Sequence, residues 1–523
     1  MKKLYVFGII AVMVVSFGLL TGCADAGVGG SGYAPGTREV DLTATMPDDA
    51  PVLRLLLPFQ GFDPNTEPVA YAIRNMTGIN VQYETLPAEN AEIVLTATLA
   101  AREEFDLMVI TMGLFNATVA IGAYEPLNDW LPTHVPNALA NTDPALFLGV
   151  TLNGEILGIP EGGTSVGFSG TVMRGRLDMF RQAGLNRMPT TIDEFYNAAV
   201  FIRDELGITP MTIWPLHTVI PEFGSAFGIF YTWNVVNGQV LHAVEHPNML
   251  DYVTWMNHLF NTGIIDVEYA TLNAAMMNER FFTGQTALYY VAFWNEPGAT
   301  NTIMEAFPYA ELAFLPPLAG PDGTSGFAKV RGINRVVVVP RVAPNKDLTF
   351  EFLNMMNSVE GFRHVFIGEE GVHWYHDGTY YAPIDPTFDD ERGNASHFTA
   401  GHVTAEAATF WLEIRARRNL MLFEHLNEAT HVTFEAPNYF TITSFLPPIE
   451  VFLRNAPASN EFAHNSVIQF IAGARPLSEW DTFLQEWRAH YHGTTLTNVI
   501  NEWWSEEGDA ILPQMGTVVN PAR

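Results

Sequence analysis

The stretch from Val52 to Ile110 alternates short apolar runs with helix-like patterns, and this alternation restricts the fold more than any other feature of the chain. The runs at 52–57, 80–86 and 106–110 predict buried strands, because each is short and bounded by proline, glycine or charged residues. Helical spacing of apolar residues separates the runs. The order strand, helix, strand, helix, strand predicts a parallel sheet covered by helices.

Each of the two intervening helices has an expected core-facing side. Its residues are Val69, Ile73 and Met76 in the first helix, and Ile93, Val94, Ala97 and Ala101 in the second. Ligands of such sheets bind beyond the carboxyl ends of the strands. We therefore expect the loop 111–115 to lie at the rim of a binding site, with Met112 as a candidate ligand contact.

The middle of the chain repeats the α/β alternation. Thr191 and Glu194 form a capping box, in which a hydroxyl and a carboxylate satisfy free amides at the start of a helix. The apolar face of that helix is Ile192, Phe195, Ala199, Ile202 and Leu206. Strands are predicted at 286–292 and 336–339. The patterns together predict a large α/β protein with at least two sheet-centred lobes.

The N-terminus has the features of an export signal. Two lysines precede an apolar run at 4–20 that is short for a membrane-spanning helix. Leu20-Thr21-Gly22-Cys23 resembles the lipobox of bacterial lipoproteins, which implies cleavage before Cys23 and a lipid on that residue. An uncleaved anchor and an ordinary signal peptide with a chance cysteine are the alternatives. Glycine, proline and threonine in residues 24–50 predict a flexible tether.

Composition excludes several classes of partner. The formal charge is −31, and cleavage before Cys23 would also remove Lys2 and Lys3, so neither nucleic acid nor an anionic lipid surface is an expected partner. Cys23 is the only cysteine, so no disulfide can form within the chain. Stability must come from buried apolar surface, for which the 48% hydrophobic content is ample.

The sequence carries no convincing catalytic or metal-binding pattern. His373 and His376 are the best local pair of metal ligands, but they stand beside a turn-like "DGTYY" and are expected to be ordinary surface residues. With Cys23 assigned to lipid, no cysteine nucleophile remains. We predict no catalytic residue, no metal site and no cofactor, although the absence of a motif does not exclude an enzyme.

Aromatic residues make up 12% of the chain and crowd several loops. Rings at strand ends beside glycine, proline or asparagine suit sugars, because the apolar face of a pyranose lies on a ring while polar groups bind its hydroxyls. Candidate contacts are Trp294, its neighbour Asn295, Trp214, Trp233 and Trp374. Core packing is the alternative for each ring.

A set of stretches resembles, in order, the extracellular solute-binding lipoproteins of bacterial ABC importers, in a large carbohydrate-associated branch common in Paenibacillus-like bacteria. The stretches are "NGEILGIP" (153–160), "VMRGRLDMFRQAGLNRMPTTIDEFYNA" (172–198), "FFTGQTAL" (281–288), "LPPLAGPDG" (315–323), "GEEGVHWYHDGTYY" (368–381) and "IAGARPLSEWDTFLQEW" (471–487). The resemblance extends over roughly residues 50 to 505.

The resemblance implies a two-lobed periplasmic-binding-protein-like fold of type II, each lobe a mainly parallel sheet flanked by helices, with a hinge between the lobes. The implied segments are 1–22 signal peptide, 23–50 tether, 51–163 lobe 1 first part, 164–326 lobe 2 first part, 327–400 lobe 1 second part, and 401–523 lobe 2 second part with C-terminal helices. The chain would cross between lobes near 158–168 and 326–334.

The same resemblance implies a function and further site residues. A monomer lipid-anchored at the outer face of the cell membrane would bind an oligosaccharide, with a peptide or other small solute as the alternative, and deliver it to permease subunits driven by a separate ATPase. Arg174 stands where the family has the arginine of "WIRKDW", Trp233 precedes "NGQV" as the family's tryptophan precedes "DGKV", and Glu161 falls in the first crossing. The family's calcium-like loop is replaced by the short "RDELGITP" (203–210), so no calcium site is expected.

Two other functions remain open at this point. A surface glycoside-active enzyme would also need aromatic residues and carboxylates, and a sugar-binding lipoprotein could serve a sensor instead of an importer. The acidic charge disfavours highly anionic glycans unless the cleft is locally basic around Arg174, Arg331 and Arg335.

Overall fold

A computed structural model of the chain describes residues 46–142, 144–162, 171–215, 217–292, 296–329, 333–376, 378, 381–398, 414, 438–440 and 442–511. All of them belong to one compact unit, Thr37–Arg523. The other unit, Met1–Gly36, lies outside the described residues and includes Cys23.

Strands and helices alternate along the described chain. The strands are β1 Val52–Leu57, β2 Asn80–Thr85, β3 Leu107–Thr111, β4 Thr151–Leu152, β5 Glu155–Ile156, β6 Ile159–Gly162, β7 Thr171–Arg176, β8 Trp233–Val236, β9 Gln239–His242, β10 Leu288–Ala292, β11 Leu312–Phe314, β12 Phe327–Lys329, β13 Ile333–Val338, β14 Trp374–His376, β15 Tyr381–Pro383 and β16 Asn438–Phe440.

The helices, numbered in the same way, are α1 Pro68–Thr77, α2 Ala91–Ala101, α3 Met112–Thr118, α4 Trp130–His134, α5 Pro136–Asn141, α6 Leu177–Gln182, α7 Ile192–Glu205, α8 Pro221–Gly224, α9 Met249–Asn261, α10 Ala274–Phe282, α11 Glu296–Ala306, α12 Lys346–Met356, α13 Val359–Phe362, α14 Thr387–Arg392, α15 Glu450–Ile471, α16 Trp480–His490 and α17 Gly493–Ile511.

The first sheet has the order β2-β1-β3-β13-β6. Strands β1, β2 and β3 are parallel, as the strand and helix order predicted, because a crossover helix returns the chain to the same end of the sheet. Strand β13 comes from much later in the chain and runs antiparallel to both β3 and β6. The two strands nearest the predicted crossings, β6 and β13, therefore lie side by side.

The predicted face of α2 is wrong. Ile93 is 68% exposed and Val94 40% exposed, whereas Leu95 and Leu99, one turn apart, are the residues that α2 buries. Helix α7 matches its prediction more closely, with Ile192 among the buried residues of its apolar face.

The predicted cap of α7 also forms. Thr191 Oγ1 accepts a hydrogen bond of 3.1 Å from the amide of Glu194, and this satisfies one of the free amides in the first turn. The Glu194 carboxylate reaches the amide of Thr190, at 2.9 Å, one residue earlier than the motif predicts.

The second sheet differs from the mainly parallel arrangement that the resemblance implied. Its order is β10-β7-β11, and β7 runs antiparallel to both neighbours. Strand β7 is the first strand of this sheet along the chain, and among the described residues no helix packed on this sheet precedes it, so no crossover helix fixes its direction. Parallel bridges join Thr209 to Thr286 and Met211 to Ile265, so the sheet is mixed.

Buried side chains form two hydrophobic clusters. The first draws on residues 53–159 and 333–398, together with Trp233 and Val240 of the β8–β9 pair, and the second on other residues of 173–318. Buried residues of the C-terminal part are divided between the clusters. Helix α15 contributes to both, with Phe452 and Ala456 in the first cluster and four residues from Ala463 to Ile471 in the second. Pro457 stands between these two groups, inside the helix.

Candidate functional site

The loops at one edge of the first sheet form a surface that we call the first-lobe rim. It comprises residues 58–67 after β1, 86–90 after β2, 111–116 from the end of β3, 161–162 of β6, 333–335 of β13, and 394–398. The parallel strands β1, β2 and β3 all end at this edge, which is where ligands of open α/β sheets bind.

Phe59 and Gln60, directly after β1, combine an exposed ring with a buried amide. Phe59 is 55% exposed, whereas Gln60 is only 7% exposed and its Oε1 has no hydrogen-bond partner among the described residues. A buried acceptor without a partner is costly unless a ligand or water donates to it. The sequence analysis did not select either residue, and their position after the first strand was the only signal.

The predicted loop after β3 is the start of a helix. Strand β3 ends at Thr111 and α3 begins at Met112, with Thr111 Oγ1 accepting a hydrogen bond of 3.2 Å from the Leu114 amide. Met112 is partly buried against the first hydrophobic cluster. It therefore lies at the first-lobe rim with part of its side chain exposed, and its contact with a ligand stays a prediction.

Thr111, Arg335 and Glu161 form a row across the rim. Arg335 pairs directly with Thr111 on one side and with Glu161 on the other, so the three side chains share one face of the sheet. Arg335 Nε donates to Glu161 Oε2 at 2.9 Å, and Nη2 donates to Oε1 at 2.6 Å. This bidentate ion pair joins β6 and β13 where both strands approach the crossings.

Residues 394–398 run across the rim above this row. Arg335 Nη2 donates to the carbonyl of Ser396 at 2.6 Å, the His397 ring meets Phe62 edge to face at 5.3 Å, and Phe398 meets Tyr83 at 5.3 Å. The segment thus spans from β13 to β2. Its sequence "NASHF" has no periodicity, and the sequence analysis gave it no role.

Trp214 lies at the edge of the second sheet where β10 ends and β7 begins. The Thr212 amide donates to the Leu288 carbonyl at 3.0 Å, so the segment before Trp214 runs alongside β10 and in the same direction. Strand β10 ends at Ala292, opposite Thr171, the first residue of β7. Trp214 is partly buried and stands at this edge. Trp294 and Asn295 follow β10 in the chain and lie outside the described residues.

Arg174 and Trp233 lie in the protein interior. Arg174 is 0% exposed, donates from Nη1 to Thr300 Oγ1 at 2.6 Å and stacks over Phe314 at 5.0 Å. Trp233 is 2% exposed and contacts Phe452 of α15, because β8 packs beneath the C-terminal helices. In this conformation neither side chain has a face open to a ligand.

Trp374 is partly exposed at the start of β14, and hydrogen bonds from Trp374 and the preceding residue hold this segment in place. Its Nε1 donates to the Gly368 carbonyl at 3.2 Å. The preceding His373 accepts from the Glu369 amide at Nδ1 and meets Glu391 of α14 at Nε2, both at 2.9 Å. Burial lowers the pKa of His373, and its neutral form must carry the hydrogen on Nε2 to make both bonds. Helix α14 leads directly into residues 394–398.

A buried carboxyl group holds the start of β7. Glu222 Oε1 accepts from the Met173 amide at 3.0 Å, and Oε2 has no partner among the described residues. Burial raises the pKa of Glu222 to about 7. Its main-chain carbonyl also accepts from the Leu318 amide at 2.8 Å, so Glu222 links two segments of the second lobe.

Two features are absent from the part of the chain that the structure describes. No group of three or more histidine, cysteine, aspartate or glutamate side chains there is arranged to hold a metal ion. No helix there combines the length and apolar character needed to cross a lipid bilayer.

Two sheets, each beside its own hydrophobic cluster, are the architecture of a two-lobed solute-binding protein of the type II periplasmic-binding-protein-like fold. Residues 70–361 match the model of the bacterial extracellular solute-binding protein family. The chain belongs to this family, whose members are binding proteins and not enzymes.

Relatives and solved structures agree with this assignment. An uncharacterized protein in the butB 5' region of Niallia circulans is 30% identical over 49% of this chain and 98% of its own length. Lipoprotein LipO of Bacillus subtilis is 22% identical over 56% of this chain and 61% of its own length.

Two solved structures share the fold. An HMO binding ABC-transporter associated solute binding protein from Bifidobacterium longum infantis has a TM-score of 0.66 and 16% identity, covering 87% of this chain and 99% of that one. The ABC-transporter substrate binding protein FusA of Streptococcus pneumoniae, in complex with kestose, has a TM-score of 0.64 and 14% identity, covering 88% and 100%.

Proposed function

We propose that this protein is the extracytoplasmic solute-binding component of an ABC transporter, that it captures an oligosaccharide between its two lobes, and that it delivers the sugar to a membrane permease. The proposal is supported by two sheet edges that carry aromatic and polar side chains, one with Phe59 and Gln60 and the other with Trp214. Both similar solved structures are ABC-transporter proteins, one described as HMO binding and one complexed with kestose, which supports a sugar as ligand.

Trp214 and Trp294 with Asn295 are the proposed contacts on the second lobe, and Phe59, Met112 and Trp374 those on the first. Glu161 acts through Arg335, to which it is hydrogen-bonded. Arg174 and Trp233 support the two lobes from inside, since both are buried. Stacking on the rings and hydrogen bonds from the polar groups would hold a sugar, and closure of the lobes would bury it.

The binding proposal is tested with a neutral sugar array, followed by calorimetry on the best ligand. Trp214→Ala and Trp294→Ala should each weaken binding at least tenfold, because each removes a stacking surface. Tyr309→Ala is the matched control, since that ring is 94% exposed in the turn before β11. Unchanged affinity in both tryptophan variants would refute the site, and no binding of any sugar would refute the ligand class.

The anchor and the delivery step need cellular tests. A lipid on Cys23 would hold the protein at the outer face of the membrane, and LipO, a relative named as a lipoprotein, supports this reading. Deletion of the gene should abolish uptake of the labelled ligand by intact cells. Uptake that persists while a transcriptional response to the sugar is lost would indicate a sensor and contradict delivery.

A further inference from the structure

The first-lobe rim has an excess of negative charge among its described residues. Its charged side chains are Asp63, Glu67, Glu89 and Glu161 on the acidic side and Arg335 on the basic side. The formal charge of the whole chain, −31, has the same sign as this excess. An anionic ligand would therefore meet a negative potential as it approached this rim.

The guanidinium of Arg335 is already paired with a carboxylate of the protein itself. Its guanidinium makes two hydrogen bonds to the Glu161 carboxylate, at 2.9 and 2.6 Å, and Nη2 also donates to the Ser396 carbonyl at 2.6 Å. The side chains of Arg335 and Glu161 are 13% and 10% exposed, so the pair is mostly buried, with a small part of each side chain open at the rim. A ligand at the rim would meet a neutralised pair.

Arg174 does not supply the missing positive charge. It is 0% exposed inside the second lobe, where it lies over the Phe314 ring and donates to Thr300. Arg331 lies outside the described residues. The locally basic cleft that an anionic glycan needs is therefore not formed by Arg174 or Arg335.

We propose that Glu161 sets the charge selectivity of the binding site: by neutralising Arg335, it makes the cleft accept neutral oligosaccharides and reject chains that carry uronate carboxylates. This inference rests on the proposed function. Neutral hydroxyls need only hydrogen-bond partners such as Gln60 Oε1, whereas a uronate would bring a second negative charge beside Glu161. Glu161 is thus a specificity-determining residue that acts through its partner.

The test uses one ligand in two charge forms. The best neutral oligosaccharide from the array is oxidised at its primary hydroxyls, which converts hexose units to uronates without changing linkage or length. Calorimetry with the full-length chain should show at least tenfold weaker binding of the oxidised form. Glu161→Gln keeps the side-chain shape but leaves the positive charge of Arg335 without a neutralising partner. The affinity for the oxidised form, relative to that for the neutral form, should therefore rise at least tenfold, which is equivalent to about 1.4 kcal/mol.

Glu194→Gln is the matched control. Glu194 also pairs in a bidentate manner with an arginine, Arg187, at 2.8 and 2.9 Å, but at the start of α7 on the other lobe. The variant makes the same charge change, so it should leave the ratio of the two affinities as in the wild type. Arg335→Gln is the reverse test and should reject the oxidised form more strongly than the wild type does.

The outcomes separate the two proposals. Equal affinity of the wild type for both forms, or an unchanged ratio in a folded Glu161→Gln variant, overturns the selectivity role and leaves sugar binding intact. If Glu161→Gln does not fold, the selectivity role is decided by the wild-type affinity ratio and by Arg335→Gln. Tighter binding of the oxidised form by Arg335→Gln than by the wild type would also overturn the role. If no sugar binds at all, the proposed function fails, and the inference fails with it.

Discussion

Replacing Glu222 with glutamine should remove a pH-dependent component of the stability of this protein. Glu222 is fully buried, and burial raises its pKa from 4.5 to about 7. The folded state therefore holds the carboxyl proton more tightly than the unfolded chain does. This contribution to stability is fully present below about pH 4.5 and is lost as the pH rises through 7.

The size of the effect follows from the two pKa values. A tenfold change in an acid dissociation constant corresponds to about 1.4 kcal/mol, so ionising Glu222 in the folded protein costs about 3 kcal/mol of unfolding free energy at pH 8. At pH 5 most of this cost is absent. The unfolding free energy of the variant, relative to that of the wild type, should therefore rise by between about 2 and 3 kcal/mol from pH 5 to pH 8. Glutamine can still accept from the Met173 amide, which keeps the contact that holds β7.

Urea unfolding of both proteins at pH 5 and pH 8 measures this difference. Burial lowers the pKa values of His242 and His246 to about 4, so these groups make stability fall as the pH drops, but they do so in both proteins and cancel. Glu205→Gln, at an exposed site on α7, should track the wild type at both pH values. A gap between Glu222→Gln and the wild type that is the same at pH 5 and pH 8 would refute the reasoning.

Three further predictions concern other parts of the chain. Trp233→Ala should lower the unfolding free energy by about 3–5 kcal/mol in urea titrations, because it leaves a cavity beside Phe452, and a loss near zero would show that the ring is not a core residue. Thr191→Ala should cost about 1 kcal/mol in the same assay by removing the cap of α7, while Thr191→Ser should restore most of it. Cys23→Ser should move the protein from the membrane fraction to the medium or the soluble fraction, and retention at the membrane would contradict the lipid anchor.

The sequence predicts the first sheet well because its strands and helices each have a single clear pattern. Strands β1, β2 and β3 lie within a residue or so of their predicted positions. Helix α2 shows the limit of the method. It is apolar on nearly every side, so periodicity cannot select a face, and packing buries Leu95 and Leu99 while Ile93 stays exposed.

The site depends on contacts that a single sequence does not encode locally. Glu161 and Arg335 are 174 residues apart, and they meet only because β13 pairs with β6 in a particular register. The tryptophans are difficult to assign from the sequence for a different reason. Trp214 and Trp233 both stand near strand ends, yet one reaches an edge and the other lies under α15, because a large ring suits a core and a binding surface equally well.

Helix α15 has a mechanical consequence for the protein as a whole. Its two halves are fixed in different cores, so any rotation of one core against the other must either bend the helix or pull one half out of its packing. Bending is the cheaper choice at Pro457, which has no amide hydrogen and so breaks no backbone hydrogen bond there. Helix α15 would therefore resist rotation elastically, bending most easily at Pro457 between its two fixed halves. Its stiffness would limit the angle through which one lobe can rotate against the other.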